Sequence, residues 1–80
     1  MEKEAVFAVL VKQICKVIPE LEEHEFRYDD HLKDLGANSL DRVEIVTLTM
    51  ESLSLKVPII EVFGGGDHLE EITDLICEKL

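Results

Sequence analysis

Apolar residues return at three-and-four spacing in three separate stretches of this 80-residue chain, and nowhere do they settle into strict alternation with polar ones. That pattern dictates amphipathic helices rather than strands. From residue 2 to about 18 the stripe runs through Val6, Phe7, Leu10, Val11, Ile14 and Val17-Ile18. Pro19 ends it, and because a residue before proline avoids the helical region, the last regular turn closes near Val17. A second helix is expected over residues 39 to 53, and a third main helix carries Leu69, Ile72, Leu75, Ile76 and Leu80 on one face. Asp67, with Glu70 three residues on, is the expected cap and capping box of that last helix. Between them, residues 54 to 58 break the chain at Pro58, residues 59 to 63 suffice for one short turn, and Gly64-Gly65-Gly66 reads as a helix stop and hinge. The triplet has neither the lysine nor the preceding strand of a phosphate loop. The expected fold is all-α, a small helical bundle of three main helices plus one short helix, with residues 1–80 forming a single domain.

A chain this short buries only about 60 to 65% of its unfolded surface, so its core must be well filled. At 46% hydrophobic residues it can be. The connection over residues 19 to 38 is long for such a domain and is expected to be functional or loosely ordered. Leu21, Phe26, Leu32 and Leu35 are spaced to anchor it, and residues 29 to 34 have the makings of one helical turn that Gly36 stops. His24 and His31 with Asp29 and Asp30 match no known metal-ligand spacing and lack the calcium-loop order, so they read as solvated loop side chains and no metal site is expected.

Charge narrows the partners. The net charge is −10, distributed as +1 over residues 1 to 19, −6 over 20 to 44 and −5 over 45 to 80. There is no basic stripe to displace phosphate counterions, which argues against nucleic acid and against an anionic membrane surface. An acidic face instead steers a domain toward basic entrances. No run approaches a membrane span, and Met1-Glu2-Lys3-Glu4 is not the basic lead of a signal peptide, so the expected location is cytoplasmic. Cys15 and Cys77 lie within apolar helical patterns and read as small buried hydrophobes in a reducing compartment.

The stretch Gly36-Ala37-Asn38-Ser39-Leu40-Asp41-Arg42 hands the long connection over to the second helix. Asn38 or Ser39 suits the N-cap, and Asp41 lies in the first turn where the helix dipole favours an anion. Local chemistry alone makes Ser39 a helix start and nothing more. The helix that follows has too many apolar residues for one stripe. Val46, Met50 and Leu53 share one side and Ile45 with Leu48 another, while Leu40, Val43 and Thr47 form a further ridge beside Asp41 and Glu44. Either this helix is central and packed on two sides, or that ridge is partly exposed and marks a docking site. No catalytic constellation accompanies the serine: there is no Gly-x-Ser-x-Gly elbow and no histidine near in sequence, so no catalytic residue is expected.

Asp34-Leu35-Gly36-Ala37-Asn38-Ser39-Leu40, followed by an acidic and apolar helix, resembles the prosthetic-group site of the acyl carrier protein family. The likeness extends to the helix lengths, the long first connection, the proline after the motif helix and the closing amphipathic helix. The resemblance implies 4'-phosphopantetheine carried covalently on Ser39, and a partner-reading surface formed by Asn38, Leu40, Asp41, Arg42, Val43, Glu44 and Thr47. The phosphodiester would sit at a helix N-terminus, which favours phosphate. Asn38 departs from the family's usual aspartate, and Arg42 places a cation in an acidic helix. With Leu-Ser-Leu-Lys-Val-Pro and Glu-Val-Phe-Gly further on, Asn-Ser-Leu-Asp-Arg resembles the freestanding donor carriers of polyketide β-branching cassettes. That subgroup implies a malonyl load decarboxylated to acetyl. It also implies a phosphopantetheinyl transferase, an acyltransferase, a decarboxylating ketosynthase-like enzyme and an HMG-CoA synthase-like enzyme as partners of a monomeric carrier. Arg42 is then expected either to mark the donor for its synthase or to pair with a neighbouring carboxylate. A carrier of fatty-acid or aminoacyl groups, and an unmodified acidic adaptor, are the alternatives.

Overall fold

The computed structural model describes residues 2–63 and 68–80, the side chain of Phe63 excepted. Four helices follow one another: α1 Lys3–Val17, α2 Ser39–Ser52, α3 Ile60–Phe63 and α4 Leu69–Lys79, with a 3-10 turn at Pro19–Leu21. Among the described residues no strand forms, and the fold is an all-α bundle. An isolated antiparallel bridge joins His31 to His68. The proposed glycine hinge at residues 64 to 66 lies outside the described residues.

α1 ends where Pro19 requires it to, its last turn closed by the Ile18 N–H on the Ile14 carbonyl at 2.8 Å. It packs against both α2 and α4, while α3 touches α2 and α4. Among the three main helices α1 is the one that packs against both of the others, while α2 meets α1 and the short α3. Its stripe of Val6, Leu10 and Ile14 meets Ile45, Val46 and Met50 of α2 and Leu69, Ile72 and Ile76 of α4 in one core that also takes in Leu32, Ala37 and Val62. α2 buries a single stripe, Ile45, Val46, Thr49 and Met50. Two buried threonines return their hydroxyls to the helix: Thr49 donates to the Ile45 carbonyl and Thr73 to that of Leu69, each at 2.8 Å. Each thereby satisfies a polar group that burial would otherwise penalise. Gln13, also buried, donates to the Ser52 hydroxyl at 3.2 Å and ties α1 to α2.

The long connection is ordered by anchors at both ends. Leu32 is fully buried, and Leu21, Phe26 and Leu35 pack against the core from partly buried positions. The expected helical turn is displaced slightly along the chain: the Leu35 N–H reaches the His31 and Leu32 carbonyls, each at 3.1 Å, and Gly36 N–H that of Lys33 at 3.2 Å. Gly36, at φ 94°, stops it. A Cβ at that glycine would meet nothing within 4 Å, so backbone conformation, not space, requires glycine there.

The start of α4 departs from expectation. Its N-cap is His68, whose side chain makes no cap, and Asp67 lies outside the described residues. Two of the orphan N–H groups are met by the connection, Leu69 donating to the Asp30 carbonyl at 3.0 Å and Glu70 to that of Tyr28 at 3.1 Å. Glu70, expected to close a capping box, accepts from Lys3 at 2.8 Å, and Asp74 lies 3.1 Å from the same ammonium, which also sits over the Tyr28 ring. The hydrogen bonds it donates to the carboxylates of Glu70 and then Asp74 hold the Lys3 ammonium above its ordinary range. Whatever this cluster contributes is complete below the unfolded lysine value of about 10.4 and fades as pH rises through the higher folded one.

Asp30 braces the connection from within. Its carboxylate accepts from the Arg27 N–H at 2.9 Å and lies 3.0 Å from His24 Nε2. Burial alone would raise the carboxyl, but the Arg27 N–H and then His24 outweigh it and hold it below the usual value. Its stabilisation is present above the unfolded value of about 3.9 and is lost as pH falls through the depressed folded value. Asp30→Asn is therefore expected to lower stability by about 1 kcal/mol at pH 6 and to shrink that deficit toward pH 2, read from denaturant curves at both pH values.

Cys15 and Cys77 are free and partly rather than fully buried. Burial, with Glu22 adding to it, pushes the Cys15 thiol up, and its Sγ lies 3.7 Å from the Leu21 carbonyl. Such a thiol is protonated and slow to react.

Candidate functional site

Two anchors set the position of Ser39. On one side the Ala37 N–H donates to the Leu32 carbonyl at 3.0 Å, and Ala37 is itself buried. On the other, α2 is held by the core through Ile45 and Val46. Between them the chain crosses the surface in an extended step at Asn38, φ −82° and ψ −179°. The Asn38 side chain accepts from the Asp41 N–H at 2.8 Å, and the Asp41 carboxylate accepts from the Asn38 N–H at 3.3 Å, forming a reciprocal cap.

Of the two sequence candidates for the N-cap, Asn38 therefore holds it, and Ser39 is the first helical residue. Its hydroxyl is released from capping and lies on an exposed residue. The local N–H groups and dipole make the surroundings of that oxygen favourable to an anion. Arg42, one turn on, donates from Nη2 to the Ser39 Oγ at 3.1 Å. A serine hydroxyl reachable from solvent, a helix N-terminus and an adjacent guanidinium together fit a covalently attached phosphodiester.

The remaining residues of the expected surface fall around this point. Leu40 is 76% exposed and Val43 43%, both large apolar side chains turned from the core. Glu44 is exposed, whereas Asp41, Arg42 and Thr47 are partly buried. The ridge is thus apolar at Leu40 and Val43 with carboxylates beside it. Ile60 of α3, 74% exposed, is a further apolar side chain that reading the sequence did not single out. The signal was the adjacent pair Ile59-Ile60 at the start of a one-turn helix, where only one of the two can face the core: Ile59 packs on it and Ile60 does not.

The histidines are engaged away from this serine. His24 meets Asp30, and His31 meets His68 ring to ring with centroids 4.8 Å apart. Among the described residues no group of three or more His, Cys, Asp or Glu side chains is placed to hold a metal ion, and no helix is long and apolar enough to cross a membrane.

A family model described as the phosphopantetheine attachment site matches residues 8–76. The polyketide biosynthesis acyl-carrier-protein AcpK of Bacillus subtilis (strain 168) is 44% identical over 80 residues, which take in 100% of this chain and 96% of that protein. The hybrid PKS-NRPS synthetase thnA of Trichoderma harzianum is 32% identical over 65 residues, 81% of this chain but 2% of that synthetase. Among solved structures, a chain in the crystal structure of the curacin biosynthetic pathway HMG synthase in complex with acetyl donor-ACP matches with a TM-score of 0.93 and 39% identity. That match covers 99% of this chain and 100% of the other.

Proposed function

This chain belongs to the phosphopantetheine attachment site family, the acyl carrier proteins, and from that premise we propose that Ser39 bears the arm and that the carrier donates acetyl in polyketide β-branching. The observation that carries the assignment of the serine is its exposed hydroxyl at the first position of α2, with the capping duty taken by Asn38. In the attachment reaction Ser39 Oγ would lose its proton to a base of the transferase and bond to the pantetheine-side phosphorus of coenzyme A, as the bond from that phosphorus to the departing adenosine 3',5'-bisphosphate breaks. When bound, the arm supplies a terminal thiol that holds an acyl group as a thioester.

The chain's own residues present and dock. Asn38 and Asp41 fix the helix start, Gly36 turns the connection into it, and the dipole of α2 tolerates the phosphodiester charge. Leu40 and Val43, flanked by Asp41, Glu44, Arg42 and Thr47, form a small apolar centre with a charged rim, which suits fast encounters that weaken with salt. The chain supplies no catalytic group. The acetyl-donor reading is supported by likeness to AcpK and to the donor carrier bound to the curacin HMG synthase. A transferase, an acyltransferase, a decarboxylating ketosynthase-like enzyme and an HMG-CoA synthase-like enzyme are its partners, met as a single-domain monomer in the cytoplasm.

The test loads the holo protein with malonyl, adds the decarboxylase and follows acetyl transfer to an HMG-CoA synthase-like enzyme. Transfer from this carrier, but not from a fatty-acid carrier, is the expected result. Equal transfer from both, or loading by an aminoacyl-activating enzyme instead, would sink the donor assignment. Leu40→Glu is expected to raise the KM for the synthase roughly tenfold, the effect of losing one apolar contact at an interface centre, with helicity unchanged.

A further inference from the structure

Arg42 flanks the docking ridge and also reaches the attachment atom itself. Its Nη2 is 3.1 Å from Ser39 Oγ, the oxygen that becomes the ester link. In the unmodified protein that contact joins a cation to a neutral, exposed hydroxyl and is worth little. Modification changes the acceptor. A phosphodiester puts a full negative charge on oxygens two covalent bonds beyond Oγ, within the sweep of a guanidinium that already reaches Oγ itself. The helix start favours that charge, but the acidic side chains nearby oppose it, with the Asp41 carboxylate in the reciprocal cap and Glu44 exposed on the same helix. Asn38 performs the cap without a charge of its own. The two departures from the family's pattern, at residues 38 and 42, therefore act in the same electrical direction at one atom.

Resting on the assignment of the arm to Ser39, we propose that Arg42 is a positioning residue for the phosphodiester, which it holds by a charge-assisted hydrogen bond that anchors the root of the arm against α2. The bond is intramolecular and needs no partner enzyme. A guanidinium suits the role because it holds two parallel donors in a rigid planar fork matched to one anionic group, whereas the donors of an ammonium are not held in such a plane. The anchor restricts the first bonds of the arm, while the remainder of the arm stays free to swing.

Phosphorus NMR on the holo protein, with intact mass spectrometry on every sample, tests this. Arg42→Gln is expected to take up the arm on Ser39 and to lower the transverse relaxation rate of the phosphorus by roughly a third, as a restrained group becomes mobile. Arg42→Lys should restore part of it, and 0.5 M salt should narrow the wild-type line but not that of Arg42→Gln. In the wild type, attachment should also shift the Arg42 side-chain N–H resonances, which reports on the anchor even if the glutamine variant folds poorly. Equal relaxation in all three modified proteins, with Arg42 resonances unmoved between apo and holo, overturns the anchor alone. A mass spectrum without the arm on Ser39 overturns the assignment of that serine and the anchor with it.

Discussion

Ser39→Ala is expected to abolish uptake of the phosphopantetheine arm while leaving the bundle as stable as the wild type. The hydroxyl is the only group the variant removes, and no neighbouring side chain can substitute for it as the acceptor at that position. The stability half of this result separates the two meanings of a serine at a helix start. Were Ser39 the cap, its loss would cost about 1 kcal/mol. The cap is Asn38, whose side chain holds the Asp41 N–H at 2.8 Å. What Ser39→Ala removes structurally is an exposed contact from Arg42, and alanine at the first helical position is at least as favourable as serine. Asn38→Ala should behave in the opposite way, losing about 1 kcal/mol while still accepting the arm. Intact mass after incubation with coenzyme A and a broad-specificity transferase reads one property, and denaturant midpoints read the other. Uptake of the arm by Ser39→Ala would place the modification elsewhere.

Leu32→Ala is the second large effect, and it acts on stability. Leu32 comes from the connection yet is fully buried among helix residues. Truncating it removes transfer free energy and leaves a cavity, a loss of about 2 to 5 kcal/mol. Small domains have about 5 to 15 kcal/mol in all, so a melting midpoint lower by at least about 10 °C is expected. The damage should not be confined to the connection. Its carbonyls at Tyr28 and Asp30 cap the N–H groups of Glu70 and Leu69, so loosening it uncaps α4 as well. Hydrogen exchange should therefore show early loss of protection at Leu69 and Glu70, ahead of the centre of α1. Protection lost uniformly along α1 and α4 would mean that the connection is not a separately docked unit.

These two residues also mark how far the sequence could be read. Helix positions were legible because they follow from repetition and punctuation: the stripe of Val6, Leu10 and Ile14, the stop at Pro19 and the turn at Gly36 are all local facts. Leu32 was legible as an anchor for the same reason, an apolar residue isolated among polar ones. The motif around Ser39 was legible through its likeness to a family, and the model match over residues 8–76 answers to that likeness. The start of α4 was less legible: Glu70 satisfies a local rule for a capping box, whereas it pairs with Lys3, and the N–H groups of Leu69 and Glu70 are met by the carbonyls of Asp30 and Tyr28, about forty residues earlier in the chain. No short-range pattern encodes such a cap.

By itself, then, the sequence determined an all-α chain, the ends of its first two helices, most of the apolar residues that the core buries and a serine at the start of the second helix. Those properties rest on neighbours within a turn or two, where spacing and stereochemistry suffice. Only the tertiary structure decided that α1 is the main helix packed against both of the others, that Asn38 and not Ser39 closes the cap, that carbonyls of the connection meet the first donors of α4, and that Ile60 faces outward while Ile59 does not. Each of those is a choice between locally equivalent partners, and it is settled by which group the packed chain leaves within reach and which it leaves in water.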